Sequence, residues 1–257
     1  MSSRHLELRG GMHGSVRIRP RALPPALLVA ICCLISGCAG TPGGGVTGVP
    51  VAPGNGAIAA RPDPASSAPP TPIPVRAPLV MIVGDSFTVG SGPVERWNSY
   101  AAKAARELGW QLVTAGAAGT GFVNPGPVNR TFERSFTEEL AWRPAPDLLI
   151  VSGGHNDRRT RAGRVNRAAK RLLELVHARW PHTRVVVIGP IWMTRAPRWA
   201  YRIRDAIAAA ADEEEATFLD PLGERWSRRL VLPDGVHPTP AGHTWLARWL
   251  VTALGGR

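Results

Sequence analysis

The sequence predicts an α/β domain built on a parallel sheet. Short apolar runs that stop at turn residues recur along the chain, and stretches of helical periodicity separate them. Strands separated by helices need crossover connections, which give parallel pairing. The limits of the domain show in the composition. All nine Trp lie between Trp97 and Trp249, whereas the first 77 residues contain none. Removing those 77 leaves a span of ordinary single-domain size.

The N-terminal part divides in two. Arg17, Arg19 and Arg21 precede an apolar run from Ala26 to Ile35, which ends in Ser36-Gly37-Cys38. A positive region, a short apolar core and small residues at its end describe an export signal. The core is shorter than the roughly 20 residues of a membrane span. Residues 1–38 are therefore assigned to a signal peptide, and residues 39–77 to a linker rich in Gly, Pro and Ala. That composition buries too little apolar surface to order itself. The domain is expected over residues 78–257.

Strands are expected at residues 79–83, 111–114, 147–152, 184–188 and 217–219. Helices are expected at 94–108, 161–179, 198–215 and 241–254. The first strand, Leu79-Val80-Met81-Ile82-Val83, has no polar residue and stops at Gly84-Asp85-Ser86. Such a run fits a strand buried on both faces. In open parallel sheets the chemistry lies beyond the carboxyl ends of the strands. Ser86 is delivered there, although a serine after a strand more often only terminates it.

Three further turns are candidates for the same place. The Gly-rich segment 114–121 follows the second strand and permits close backbone approach at Gly119. It lacks the Gly-Lys-Ser/Thr of a phosphate-binding loop. Gly153-Gly154-His155-Asn156-Asp157 follows the third strand. The Asn156 amide offers two uncharged donors suited to an oxyanion, and equally suits a helix cap. His155 is expected to be a loop residue. Near the C-terminus stands Asp234-Gly235-Val236-His237. An imidazole is a general base near neutral pH, and a carboxylate three residues earlier can fix its tautomer. An Asp in a turn beside an exposed His fits as well.

Charge and cysteine content exclude several classes. The chain carries 31 Lys and Arg against 19 Asp and Glu, a net of +12. Only Lys103 and Lys170 are Lys, so the excess is Arg. Arg161, Arg164, Arg167 and Arg171 line one helical stripe, expected to face solvent first and to bind anions second. No nucleic-acid motif accompanies the charge. Cys32, Cys33 and Cys38 are the only cysteines. The domain thus has no internal disulfide, thiolate metal site or cysteine nucleophile.

Taken together, Gly84-Asp85-Ser86, Gly119, Gly154-x-Asn156-Asp157 and Asp234-x-x-His237 resemble the four blocks of the SGNH (GDSL-type) hydrolases, in the family's order. Gly242-His243 resembles the family as well. The resemblance covers the domain from Leu79 to Leu254. It implies a three-layer α/β/α sandwich with a five-stranded parallel sheet, flavodoxin-like in its winding. It also implies a serine ester hydrolase that needs no metal or cofactor. Ser86 then matches the nucleophile, His237 the base and Asp234 its orienting acid. Ser86, Gly119 and Asn156 match the oxyanion donors. Phe87 replaces the commoner Leu, and Thr114 stands where many members have Asn before the glycine block. Similarly, Ile35-Ser36-Gly37-Cys38 resembles a bacterial lipobox. That implies lipidation at Cys38 and a place on the outer face of the cell membrane, with simple secretion as the alternative.

Pro190-Ile191-Trp192-Met193 follow the fourth strand, and Trp192 and Met193 are expected as substrate contacts. The expected substrate is an O-acyl ester, short, lipid or glycan-borne, at the cell envelope. An O-acyltransferase with the same site, or a non-catalytic binding lipoprotein, is the alternative. A monomer that binds no nucleic acid is expected.

Overall fold

In a computed structural model of the chain, residues 76–255 are described, apart from Arg225. The signal-like segment with Cys38, and the linker up to residue 75, lie outside the described residues. Arg76, assigned to the linker, is ordered against the domain through two hydrogen bonds to Asp147 of 2.8 and 2.6 Å.

Five strands form one parallel sheet: β1 (Leu79–Gly84), β2 (Gln111–Gly116), β3 (Leu148–Ser152), β4 (Arg184–Ile188) and β5 (Thr217–Leu219). Their spatial order is β2-β1-β3-β4-β5. Alternation of side chains sorts the strand residues into two cores. Met81, Val83, Leu149, Val151, Val185 and Val187 face α4 (Ala162–Arg179) and α5 (Arg198–Glu213). Val80, Ile82, Leu148, Ile150, Val186 and Ile188 face α2 (Tyr100–Leu108) and α6 (Pro240–Gly255). The result is the expected three-layer α/β/α sandwich.

The winding reverses at β1, which has β2 on one side and β3 on the other. Such a reversal leaves a crevice beyond the carboxyl ends of the central strands. Gly84, Gly116 and Ser152 end the three strands in register. Gly116 has φ +101°, and a Cβ there would overlap the Gly84 carbonyl. Glycine thus lets the β2 loop start close against β1.

Two helical starts differ from expectation. The segment 94–108 is helical only from Tyr100, because Ser99 caps α2 by accepting from the Ala102 N–H. A 3-10 turn, Arg96–Asn98, precedes it. In addition, Ser86 opens a helical turn of its own, α1 (Ser86–Val89), which the sequence pattern is too short to signal. A further turn, α3 (Phe132–Ser135), runs into a wider π turn at Phe136–Leu140 and covers the α4 side of the sheet.

Asp85 caps α1. Its Oδ1 accepts from the Phe87 N–H at 3.0 Å, and the residue is 1% exposed. Burial pushes its carboxyl up to about 7, with the Phe87 N–H working in the opposite direction. The native state therefore holds a proton that the unfolded chain releases near pH 4. The stability this proton supports is complete below pH 4 and is lost as pH rises through about 7. The variant Asp85→Asn lacks this loss. Its stability relative to wild type rises between pH 4 and pH 7, by roughly 4 kcal/mol at most at about 1.4 kcal/mol per pH unit. Urea melts across that range measure the slope, whatever the constant offset. A flat difference shows that Asp85 is ionised throughout.

Candidate active site

The crevice gathers residues from four loops. Ser86 lies at the start of α1, where helix geometry leaves its N–H without an intrahelical acceptor. Its Oγ is 2.9 Å from His237 Nε2. His237 Nδ1 is 2.7 Å from Asp234 Oδ2. The other carboxylate oxygen of Asp234 accepts from the N–H groups of Val236 and His237 at 2.9 and 3.0 Å. Burial raises the Asp234 carboxyl, but the His237 ring and these two N–H groups outweigh it and hold it below the usual carboxylate range. Asp234 is thus an anion fixed on the back of the imidazole, as orientation of a base requires.

The loop that carries this pair is short and closed. Leu232 N–H donates to the His237 carbonyl at 2.8 Å, and Thr239 N–H to the Leu230 carbonyl at 2.9 Å. Val231 and Pro238 form an isolated antiparallel bridge. Two prolines and Gly235, at φ +72°, fit that turn.

The opposite wall is built around Asp157. Its carboxylate is fully buried and accepts from the N–H groups of Phe122, Val123 and Asn124 at 2.9, 3.0 and 2.8 Å. Burial raises its carboxyl and these three bonds counter the shift. Asn124 then ties the loops together, donating through Nδ2 to the carbonyls of Gly119 and Asn156, each at 3.1 Å. Gly119 has φ +80°. The amide of Asn156 donates to the Thr120 carbonyl at 2.9 Å and to Asp85 Oδ2 at 3.3 Å. The side chain is therefore held at two points rather than capping a helix.

The structure thus brings Ser86, Asp234 and His237 into one hydrogen-bonded chain, with Asn156 in contact with the neighbouring Asp85. Sequence reasoning gave no role to Asp157 or Asn124. Asp157 was visible as an acid next to Asn156; nothing in the sequence singles out Asn124. His155 also differs from expectation. It is 5% exposed and lies in a 3-10 turn, stacked on Trp192 with centroids 4.7 Å apart and planes 15° apart. Burial lowers it to about 4, helped by the charge of Arg158 and opposed by the Ile191 carbonyl. Phe87 lies 5.8 Å from the His155 ring and 5.7 Å from the His237 ring. Trp192 is half-buried, and its second aromatic neighbour is Trp199 at 5.2 Å. The expectation that Met193 offers a surface to substrate is corrected. Met193 is 2% exposed and packs in the core on the α2 and α6 side, because the chain turns inward after β4. Among the described residues, no group of three or more His, Cys, Asp or Glu forms a metal-ligand cluster, and no helix is long and apolar enough to cross a membrane.

Comparison with known proteins agrees with this geometry. The profile described as the GDSL-like lipase/acylhydrolase family matches residues 82–245. A GDSL lipase of Mycobacterium tuberculosis is 30% identical over 184 residues, covering 65% of this chain and 78% of that protein. The fold is similar to that of a carbohydrate acetylesterase of Sinorhizobium meliloti, with a TM-score of 0.59 and 18% identity, over 70% of this chain and 99% of that one. It is also similar to a family two carbohydrate esterase of Clostridium thermocellum, solved in complex with cellohexaose, with a TM-score of 0.60 and 18% identity, over 74% of this chain and 66% of that one. With the matched span running from β1 to α6 through all four loops, the chain belongs to the GDSL-like lipase/acylhydrolase family of carboxylic ester hydrolases.

Proposed function

We propose that the protein hydrolyses O-acyl esters through an acyl-enzyme on Ser86. The observation that carries this reading is the unbroken chain Ser86 Oγ, His237 Nε2, His237 Nδ1, Asp234 Oδ2, with links of 2.9 and 2.7 Å. Ser86 Oγ attacks the ester carbonyl carbon while His237 Nε2 takes its proton. The imidazolium that forms faces the fixed Asp234 carboxylate. The carbonyl oxygen, now an anion, is met by the N–H groups of Ser86 and Gly119 and by the Asn156 amide. Of the two bonds that amide makes at rest, the one to Asp85 is the longer. Its hydrogen is the one that turns to the oxyanion. His237 returns the proton to the leaving alcohol, and the acyl carbon stays bonded to Ser86 Oγ. Water, deprotonated by His237, then releases the carboxylic acid and restores Ser86.

The class of ester is supported by the neighbours. One similar fold belongs to a carbohydrate acetylesterase and another to a carbohydrate esterase holding cellohexaose. These support a short acyl group on a glycan hydroxyl as the substrate. The Ile35-Ser36-Gly37-Cys38 segment supports action at the outer face of the cell membrane, with Cys38 as the lipidated residue.

Hydrolysis of para-nitrophenyl esters from acetyl to decanoyl by the purified protein tests the chemistry. Ser86→Ala is expected to lower kcat by at least about ten-thousand-fold, and Asn156→Ala by about a hundredfold. Turnover unchanged in Ser86→Ala contradicts the mechanism. The anchor is tested separately. The full chain expressed in a bacterium is expected to fractionate with membranes, and Cys38→Ala to leave them. Equal membrane association of the two contradicts lipidation at Cys38.

A further inference from the structure

We propose that the substrate carries an anionic group close to the scissile ester, a carboxylate or a phosphate, and that Arg158 and Arg159 bind it. The proposal rests on the ester hydrolase reading and names what that site selects. A groove of about 340 Å³ opens beside the oxyanion wall, with Asn124, Pro125, Asn156, Arg158, Arg159 and Thr160 among its walls. Asn156 is common to the groove and to the candidate oxyanion hole. A substrate whose carbonyl reaches Asn156 can therefore place a neighbouring group in the groove.

The charge of this groove is one-sided. Its walls hold two guanidinium groups and no acid. The adjacent Asp157 makes no ion pair with them; its carboxyl is buried and accepts from three backbone N–H groups. Both arginines are exposed, and among the described residues neither makes an ion pair. Arg158 also stands close enough to His155 for its charge to help keep that ring neutral. The charged groups free to interact in the groove are thus the two guanidinium groups, which suit a carboxylate or phosphate through charge-assisted hydrogen bonds.

The positive surface continues away from the site. A second groove, of about 490 Å³, shares Val123 with the first and is lined by Arg134, Arg164, Arg167 and Arg171, with Glu133 as its one acid. Arg134 is paired with Glu138 and Arg171 lies 3.6 Å from Glu133. Arg164 and Arg167, like Arg158 and Arg159, have no acid partner among the described residues. The arginine stripe of α4 thus lines a groove adjacent to the first, and it suits a substrate with further negative charges along its length.

The test compares matched charged and neutral esters, with the charge placed on either half. On the alcohol side the pair is para-acetoxybenzoate and its methyl ester. On the acyl side it is mono-para-nitrophenyl glutarate and para-nitrophenyl butyrate, corrected for spontaneous hydrolysis. Para-acetoxyphenyl phosphate distinguishes phosphate from carboxylate. The quantity read is the ratio of kcat/KM for the charged ester to that for its neutral partner. In the double variant Arg158→Gln/Arg159→Gln this ratio is expected to fall about tenfold for at least one pair, through KM. In Arg248→Gln, on the exposed side of α6, it is expected to stay at the wild-type value. Raising the salt to 0.5 M is expected to reduce the wild-type ratio, as charge screening demands. A ratio unchanged in the double variant for every pair, with the neutral esters turned over, overturns the proposal and leaves the hydrolase reading standing. No turnover of any ester by the wild type overturns the hydrolase reading, and this proposal with it.

Discussion

The buried carboxylate of Asp157 is the constraint on which the oxyanion side of the site depends. Three consecutive N–H groups of the loop after β2 point at it, from Phe122, Val123 and Asn124. Without that acceptor, a loop of glycines and small residues has no reason to hold one conformation. With it, Asn124 is placed to bond both Gly119 and Asn156, so the loops after β2 and β3 are tied together. A buried carboxyl without partners is costly, and three backbone donors are what make the burial tolerable. A second acid, Asp85, is buried close by and faces Asn156. Its burial raises it to about 7, and the charge of Asp157 adds to the shift. Two acids near each other thus differ in support: Asp157 is met by three backbone donors that counter its burial, whereas Asp85 accepts from the Phe87 N–H and is still pushed up to about 7.

The Ser86–His237 side of the candidate site depends on contact across the chain. Ser86 and His237 are 151 residues apart and meet because the loop before α6 folds over the end of β1. His243 in α6 accepts from the Tyr100 N–H at 3.0 Å, and Gly242 lies too close to the Leu230 carbonyl to carry a side chain. α6 is therefore tied both to α2 and to the loop that carries His237. Phe87, next to Ser86, fills the space between His155 and His237 with an aromatic ring. This gives a physical reason for tolerance of Phe at the place where Leu is commoner.

How much of this is legible in the sequence depends on how local its causes are. The strand positions follow from apolar runs and turn residues, so the expected strands lie within two residues of the observed ones. The four-block pattern places Ser86, Asn156, Asp234 and His237 in loops at strand ends or near the C-terminus, and the sheet order then gathers them. What the sequence hides is set by tertiary contact. The start of α2 depends on Ser99 competing with an earlier start, and α1 is a single turn that depends on the Asp85 cap. Met193 reads as a rim residue from its place after β4, yet the path of the chain buries it. His155 reads as a loop residue because nothing local reveals Trp192 stacked on its ring. The arginines of α4 read as a solvated stripe, and only the folded chain shows that Arg164, Arg167 and Arg171 line a groove that shares Val123 with the one beside Asn156.

The central claim is that Ser86 is a nucleophile activated by His237. Reaction with a fluorophosphonate ester, followed by intact-mass measurement and peptide mapping, reads that directly. The account predicts a single adduct on the peptide carrying Ser86, formed rapidly by the wild type and at least about a hundredfold more slowly by His237→Ala. Labelling at another residue, or labelling of Ser86 at the same rate without His237, would contradict it.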